Sequence, residues 1–491
     1  MPVQSLELWF AILAFTLTGA ALASGIVDRI PLSLPIIFLG LGFLLDPGAL
    51  GVAQLTPQNP ILIAVATVDL ALVLFLDAAR FDLDELRRDW RVQIRDLGPG
   101  TLLTIAGVAG AAALLLHTPL LQSILLGAIL ASTDPIVLRD ITRDERVPLA
   151  VRRTLTIEAG TNDIIVLPIV LIVIQLSLAP AGGIGYWIGF LAKLIVLSPI
   201  AGLAIGGAGA WLMGKADARY SIRREYQALY GIGLVLAAYV IAQALGGDGF
   251  LAAFFAGLAV AIFDVTLCDC FLDYGEVTAE MAMLLAFILF GIVLEPLFGM
   301  ISFGLALAFA LVAIVVVRPV AMNLALLPAK ISPVARAFIG WFGPRGLSAL
   351  LLALLVVEAN APHATYTLAI TGVVALVSVL AHGMTATPAS RWYGAWVARK
   401  RDAPPEERES DASGLFQGEA EAIPRVTPEE LQEWRSGPHP PLILDVRTRG
   451  QYAESEGQIP GSVRVLPDHV REWAEQVDPA MRDRLVVAYC T

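Results

Sequence analysis

Long apolar runs dominate the chain, and short polar stretches separate them. We count about thirteen apolar segments, most of them close to the roughly 20 residues that a helix needs to cross a bilayer core. Their approximate bounds are 6–24, 31–46, 61–79, 99–117, 119–138, 154–179, 185–213, 225–245, 248–265, 277–298, 301–329, 335–357 and 364–388. The pattern predicts an all-α polytopic membrane protein with about 13 transmembrane helices.

Composition agrees with this class and excludes others. Of the 491 residues, 57% are hydrophobic and only 16% are charged, whereas about a quarter of a soluble domain is charged. The net charge of -11 is opposite in sign to a surface that binds nucleic acid. The three cysteines do not make a disulfide framework. We expect a lipid bilayer around the chain, no nucleic-acid partner and no cofactor.

Arginine and lysine cluster in the connections that follow odd-numbered segments, which places those connections in the cytoplasm. They are Arg80, Arg87, Arg88, Arg91, Arg95, Arg139, Arg143, Arg146, Arg152, Arg153, Lys215, Arg219, Arg223, Arg224, Lys330, Arg336, Arg391, Arg399, Lys400 and Arg401. This bias predicts a multi-pass protein of the cytoplasmic (inner) membrane with its N-terminus outside and its C-terminal tail cytoplasmic. One connection predicted inside, 264–276, disagrees because it is acidic.

Charged side chains within an apolar segment are costly and usually functional. The sixth segment contains Glu158, Asn162 and Asp163. Glu158 and Asn162 share one helix face, and Asp163 lies about 100° around the axis. A hydrogen-bond cluster that only packs helices would explain the amide. Two carboxylates in neighbouring turns favour an ion site instead.

Two further segments contain helix breakers together with charge. In the fifth, Pro135 follows Thr133 and Asp134, and proline disfavours a helical conformation at the residue before it. Broken backbone at membrane depth is tolerated only where it is buried in protein or lines a cavity. The freed carbonyls, with Thr133 and Asp134, supply oxygen ligands. The alternative is a simple proline kink near the end of a span.

The second breaker is the run 343–346, Gly-Pro-Arg-Gly, in the twelfth segment. Arg345 needs a buried carboxylate partner, and Glu158 is the natural candidate, which leaves Asp163 free to titrate. Arg318 and Asp77 are possible accessory residues. Arg318 either pairs in the same way or extends to the cytoplasmic face. Asp77 either reaches the site or marks the membrane interface.

The two breakers lie in equivalent positions if segments 1–6 and 8–13 are two repeats. The repeats then have opposite membrane orientations. Secondary transporters share this plan of inverted repeats, in which two broken helices cross at mid-membrane and hold the ion site.

These motifs resemble the monovalent cation/proton antiporter family of the sodium/proton exchanger type, in its NhaP-like branch. The resemblance covers roughly residues 5–390 and rests on Ala-Ser-Thr-Asp-Pro at 131–135, the Glu and Asn-Asp pattern at 158–163 and the breaker at 343–346. It implies a homodimer whose core domain moves in alternating access. It further implies that Asp163 binds either a cation or a proton.

The resemblance also assigns roles to the neighbouring residues. Thr133 contributes a backbone carbonyl ligand, and Asp134 is the acid of the broken helix. Asn162 is typical of electroneutral members, and Glu158 with Arg345 forms the ion pair of the core. A serine often follows the glutamate in this family, but Ala159 stands here. The change leaves Na⁺, the expected cation, and K⁺ as alternatives.

The C-terminal part of the chain has a different character. We assign 1–398 to the transmembrane domain, 399–423 to an acidic flexible linker and 424–491 to a small α/β domain with strand-like runs at 442–446 and 485–489. The stretch 442–465 resembles the start of a rhodanese-like domain, and Cys490 matches that family's sulfur-carrying cysteine. Because the sequence stops one residue later, we expect a partial domain, truncated after Cys490, that is either a fragment of a longer protein or degenerate, without sulfurtransferase activity as it stands.

The function expected from the sequence is therefore secondary antiport of a monovalent cation against H⁺, with a role in pH and cation homeostasis, and no enzyme activity. A channel is one alternative, but the chain shows no repeated pore loop. A membrane-anchored sulfurtransferase, or an ion transporter regulated by sulfur chemistry through the tail, is the other.

Overall fold

The computed structural model describes residues 6–27, 34–46, 48–80, 90–142, 144, 146–179, 182–263, 265–329, 331–399, 426–437, 440–447, 457–465, 473–474 and 484–489. The chain divides into two compact units. One comprises residues 1–144 and 152–393, and the other comprises residues 145–151 and 394–491. The predicted linker lies outside the described residues except for Arg399, so its character stays a prediction.

The first unit is built from α-helices, several of which continue through short π-helical turns. They are α1 (Leu6–Val27), α2 (Leu34–Leu45), α3 (Pro60–Ala79), α4 (Trp90–Arg95), α5 (Thr101–Ala111), α6 (Leu120–Ile129), α7 (Pro135–Thr142), α8 (Leu149–Thr161), α9 (Asp163–Leu178), α10 (Ile184–Ala192), α11 (Ser198–Tyr220), α12 (Arg224–Ala244), α13 (Gly249–Phe263), α14 (Val265–Phe298), α15 (Phe303–Leu311), α16 (Arg318–Ala325), α17 (Pro333–Trp341), α18 (Leu347–Glu358) and α19 (Ala364–Arg399). The π-helical turns are Asp96–Gly100, Ala112–Leu116, Lys193–Leu197 and Val312–Val317.

Among the described residues, 8 continuous helices are long and apolar enough to cross a membrane, and shorter apolar helices accompany them. The all-α membrane architecture predicted from the sequence is thus confirmed. The count of about 13 spans stays a prediction, because several spans include a short or broken helix.

Both predicted helix breaks are present. Helix α6 ends at Ile129 and α7 begins at Pro135, so residues 130–134 are not helical. Proline fits the first position of α7, where its missing N–H has no intrahelical partner. Helix α17 likewise ends at Trp341, and α18 begins at Leu347 beyond Pro344. The breakers read from the sequence therefore end helices inside the membrane unit.

The helices around the breaks pack closely. Helix α3 packs against α13, α14 and α18, and α6 packs against α5 and α9. Their buried apolar side chains form one continuous core that runs through α2, α3, α6, α9, α13, α14 and α18. The broken segments are therefore enclosed by protein, as irregular backbone at membrane depth requires.

The second unit contains a small parallel sheet with strand order β2-β1-β3. Its strands are β1 (Leu442–Asp445), β2 (Val463–Arg464) and β3 (Val486–Tyr489), and helix α20 (Pro428–Arg435) precedes them. Leu444 pairs with Val463 on one side and with Ala488 on the other. This arrangement confirms the predicted α/β tail and the strands expected near 442–446 and 485–489.

Gly346, at the start of α18, provides a test of the crossing. A Cβ there would collide with the carboxylate of Asp134. We expect Gly346→Ala to destabilise the protein by about 1–3 kcal/mol, the usual cost of overpacking, and to lower its melting temperature in detergent.

Gly383→Ala in α19 is the matched control, because no atom lies within 4 Å of the added carbon. This variant should melt at or slightly above the wild-type temperature, since alanine favours a helix more than glycine does. Equal melting temperatures for the two variants would contradict the close approach of Gly346 to Asp134.

Candidate functional site

Asp134 connects the two broken helices. Its backbone N–H donates a hydrogen bond to the carbonyl of Pro344 over 2.9 Å. Its carboxylate Oδ2 accepts one from the backbone N–H of Leu347 over 2.7 Å. Leu347 is the first residue of α18, where the helix dipole favours negative charge. The breaks thus cross and satisfy each other's backbone groups.

Asn162 holds the first break against the junction of α8 and α9. Its side-chain Nδ2 donates to the hydroxyl of Thr133 over 2.7 Å and to the carbonyl of Ala131 over 3.2 Å. Both hydrogens of the amide are therefore used. Its Oδ1 is buried and has no hydrogen-bond partner among the described residues.

Asp163 follows directly as the first residue of α9 and is only 4% exposed. Its Oδ1 is buried without a hydrogen-bond partner among the described residues, and so is the hydroxyl of Ser132 on the facing break. Ser132 lies close enough to interact with the Asp163 carboxyl. The sequence interpretation overlooked Ser132, although it stands within the motif that includes Thr133.

Oxygen atoms therefore accumulate where α9 meets the break. Carboxylate, amide and carbonyl oxygens are the ligands that hard cations prefer. Carbonyls freed from a broken helix replace the water around an ion in membrane sites. The arrangement can hold a monovalent cation or a proton.

A cavity of about 240 Å³ opens beside this cluster. It is lined by Asp77 of α3 and by Gly160 and Thr161 of α8, among others. Asp77 is buried, and its Cβ approaches within 3.7 Å of the position of a Cβ built on Gly160. Of the two interpretations of Asp77, the structure favours the one in which it lies near the site.

Ion pairs connect three walls of this cavity. Arg80 Nη2 lies 3.2 Å from Glu276 Oε2, and Arg139 Nη2 lies 3.0 Å from Glu276 Oε1. Arg139 Nη1 also donates to Glu280 over 3.2 Å. Glu276 belongs to the acidic connection that disagreed with the charge bias. The acidity of this connection has a local cause, since Glu276 pairs with arginines from the other connections.

The predicted pairing of Glu158 with Arg345 is wrong. Arg318 takes this place, with Nη1 2.7 Å from Oε1 and Nη2 donating over 2.9 Å to Oε2 of Glu158. The Arg345 side chain donates to the carbonyl of Gly343 over 2.8 Å. Gly343 makes the observed pairing possible, because a Cβ there would collide with the Arg318 guanidinium.

Asp96 adds a second acid to this cluster. It is 1% exposed and lies close enough to Glu158 and Arg318 to interact with both. The fourth apolar segment predicted from the sequence begins at residue 99, which leaves Asp96 in the preceding connection. One more helical turn would have included it. The cluster therefore contains two acids, Glu158 and Asp96, together with two arginines, Arg318 and Arg345.

The tail has its own polar cluster, centred on Asp445 at the end of β1. Arg447 Nε donates to Oδ1 over 2.8 Å, and the Tyr489 hydroxyl donates to Oδ2 over 2.8 Å. The Arg447 guanidinium holds the pKa of Asp445 below its usual range. Cys490, the sulfur-carrying candidate, lies outside the described residues.

The buried ion pair yields the first prediction for the site. Removing one partner of a buried pair leaves an uncompensated charge, which costs about 3–5 kcal/mol. We expect Arg318→Gln to lower the melting temperature strongly and Glu158→Gln to lower it by a similar amount. The double variant should be less than additive, because the two side chains interact.

Arg345→Gln is the matched control for this cycle. Because Arg345 acts on Glu158 electrostatically but without the hydrogen bonds that Arg318 makes, its coupling to Glu158→Gln should be clearly smaller than that of Arg318→Gln. Strong coupling of Glu158 to Arg345, with none to Arg318, would restore the pairing expected from the sequence.

The tail cluster should respond to pH. Because the folded-state pKa of Asp445 is lowered, its contribution to stability is present above the unfolded pKa of about 3.9. It is lost as the pH falls through the folded value. Strands β1 and β3 of the full-length Asp445→Asn variant should exchange amide hydrogens faster than wild type at neutral pH. This difference should disappear in acid, whereas Glu433→Gln, an exposed change in α20, should have no effect.

The chain resembles known proteins in both of its parts. The sodium/hydrogen exchanger transmembrane family model matches residues 13–392, and the rhodanese-like domain model matches residues 427–491. The K(+)/H(+) antiporter NhaP of Alkalimonas amylolytica is 27% identical over 79% of this chain and 67% of its own length. The K(+)/H(+) antiporter NhaP2 of Shewanella sp. (strain ANA-3) is 28% identical over 80% of this chain and 68% of its own.

The fold has solved counterparts as well. The sodium proton antiporter MjNhaP1 from Methanocaldococcus jannaschii at pH 8 matches with a TM-score of 0.65 and 19% identity, over 77% of this chain and 99% of that one. The chain, a multi-pass membrane cation/proton antiporter with a C-terminal rhodanese-like domain, belongs to the sodium/hydrogen exchanger family.

Proposed function

We propose that this protein exchanges one monovalent cation for one proton by competition at Asp163. The observation that carries this proposal is the buried Asp163 oxygen without a hydrogen-bond partner among the described residues. It lies beside Asn162, whose two amide hydrogens are already donated to the broken segment. Asn162 therefore offers only an oxygen to the site.

Competition follows from this chemistry. A carboxylate with a proton bound has lost the charge that attracts a cation, and a bound cation disfavours protonation. Asn162, Thr133 and the freed carbonyls complete the cation shell, while Asp134 keeps the crossing in place. The site then alternates between the two sides as the broken helices move relative to the helices around them.

Two cations, Na⁺ and K⁺, are candidates for the site. The departure from the family pattern at Ala159 leaves both open, and Na⁺ is the cation expected from the family resemblance. The curated relatives are named K(+)/H(+) antiporters, whereas the solved counterpart is titled a sodium proton antiporter. We propose K⁺ as the first cation to test and Na⁺ as the second.

The remaining parts of the proposal concern the assembly. We propose electroneutral exchange, because the residue before Asp163 is Asn162. An exchangeable acid at that position would add a charge to each exchange, whereas asparagine does not. We also propose a homodimer in the cytoplasmic membrane, with the N-terminus outside and the tail in the cytoplasm, since the arginine-rich connections then lie inside.

The direct test uses inside-out vesicles with a fluorescent pH dye. Adding K⁺ or Na⁺ should reverse the quenching in wild type, and the cation that does so is the substrate. Asp163→Asn should abolish this response while the protein is still produced, folded and dimeric. The control is Glu433→Gln, on the exposed face of α20. A buried residue such as Gln93 would be unsuitable for this purpose.

Competition makes a second prediction in the same assay. The apparent KM for the cation should rise about tenfold for each unit of falling pH in the range where Asp163 is protonated, with an unchanged maximal rate. A KM that is independent of pH, with a maximal rate that changes, would contradict binding of both ions to one carboxylate.

No response to K⁺ or Na⁺ in folded wild type between about pH 6 and 9, the range in which proton-coupled groups usually titrate, would refute cation/proton exchange by these ions. A response retained in Asp163→Asn would refute only the role of Asp163 and not the exchange itself.

A further inference from the structure

Asp69 is a charged residue of α3 that the exchange mechanism above does not use. It is the tenth of the 20 residues of α3 and therefore lies near mid-membrane. It is 0% exposed, and neither of its carboxylate oxygens has a hydrogen-bond partner among the described residues. An ionised carboxylate in such a place is very costly unless a cation or a proton neutralises it.

In the part of the chain that the structure describes, the helices packed against α3 provide no counter-ion for Asp69. Helix α13 carries no charged residue, and α18 has only Glu358, at its last position. In α14, Glu276 and Glu280 pair with arginines at the cavity, and Glu295 lies near its other end. In α12, the charged residues are confined to the first turn.

Asp134 is the group at the crossing that acts electrostatically on Asp69. Two like charges in a low-dielectric interior repel each other strongly. This repulsion adds to the need for a proton or cation at Asp69. It also links the occupancy of Asp69 to the state of the acids at the crossing.

The face of α3 that lines the cavity continues to Asp69. Val73, Leu76 and Arg80 line the cavity of about 240 Å³. Asp69 precedes them at spacings of four, seven and eleven residues, which places all four on one helix face. Asp69 is one turn deeper than Val73 and about 12 Å along the axis from Asp77. It lies beyond the inner end of the cavity.

A second, smaller cavity lies around the same part of α3. It has a volume of about 10 Å³ and is lined by Thr67, Leu70 and Glu358, among others. This volume is about enough for one water molecule. Along α3, Asp69 stands between Thr67, which lines the small cavity together with Glu358, and Val73, which lines the large one.

We propose that Asp69 is a proton-relay carboxyl, which passes protons between the acids at the crossing and the small cavity lined by Glu358. This inference rests on the proposed cation/proton exchange and adds a proton path to it. In each transfer one carboxyl O–H bond breaks as another forms, directly or across one water, and no other bond changes.

The occupant of Asp69 is a proton rather than the transported cation. A cation would need several oxygen ligands. The neighbouring helix α13 offers only apolar side chains and glycine. A proton needs no such shell, and it removes the charge that the surroundings cannot stabilise.

Two transport assays on the full-length protein in proteoliposomes test the relay. Cation/proton exchange is followed with a pH dye, and exchange between labelled and unlabelled cation is followed with tracer, which requires no net proton movement. Asp69→Asn should slow the first at least about tenfold, as the loss of a proton-transfer group typically does, and leave the second within about twofold of wild type.

Asp69→Glu should restore part of the proton-coupled rate, because it returns a carboxyl one methylene farther out. Asp46→Asn is the matched control, since Asp46 is also a buried acid but lies at the end of α2 and accepts from the backbone N–H of Gly48. It should change neither rate. Because Asp69 has no described hydrogen-bond partner to lose, Asp69→Asn should not lower the melting temperature.

Each contrary result has a distinct meaning. Unchanged proton-coupled exchange in Asp69→Asn overturns the relay and leaves the exchange at Asp163 intact. An equal loss of both rates also overturns it, because Asp69 would then be needed for cation binding or for the fold. Failure of cation/proton exchange in wild type overturns both the relay and the proposed function.

Discussion

Two hydrogen bonds of Asp134 hold the broken helices across each other, and the proposed ion site depends on them. Inside a bilayer, every backbone N–H and C=O needs a partner within the protein. The N–H of Asp134 satisfies the carbonyl of Pro344, and its carboxylate satisfies the N–H of Leu347. Without these contacts, two interrupted helices would leave polar backbone groups unpaired at membrane depth. With them, other oxygens near the break remain available to an ion.

The buried charges near the crossing fall into two groups. Glu158, Asp96, Arg318 and Arg345 form one buried cluster. Among the residues that the structure describes, no arginine pairs with Asp163, and one of its oxygens lacks a hydrogen-bond partner. A carboxylate already paired with arginine would gain little from binding a cation. In the proposed mechanism, Asp163 is therefore the carboxylate that a transported ion neutralises.

The sequence predicted the breaks because their cause is local. Proline and glycine end a helix wherever they stand, so Pro135 and the run 343–346 were sufficient. The partner of Glu158, in contrast, is not set by residues near it in the sequence. Whether Arg345 or Arg318 pairs with it depends on how closely the segment that carries Arg318 approaches. Gly343 permits this approach, because it has no side chain to fill the space of the Arg318 guanidinium.

Two buried acids were missed for different reasons. Asp96 was excluded by an uncertain segment boundary, whereas Asp69 stood inside an apolar run and was detectable as an isolated charge. In the tail, the strands next to Asp445 and Tyr489 were predicted from their apolar patterns. The short strand β2 was not, because two exposed residues form it and only pairing with β1 defines it.

The central claim is that a cation and a proton compete for one carboxylate. It can be measured without transport, by titrating purified protein with K⁺ or Na⁺ and recording the protons released per cation bound. Calorimetry in two buffers of different ionisation enthalpy gives this number. The account predicts about one proton per cation where Asp163 starts protonated, and no cation binding to Asp163→Asn. Cation binding without proton release, or binding that persists in Asp163→Asn, would contradict it.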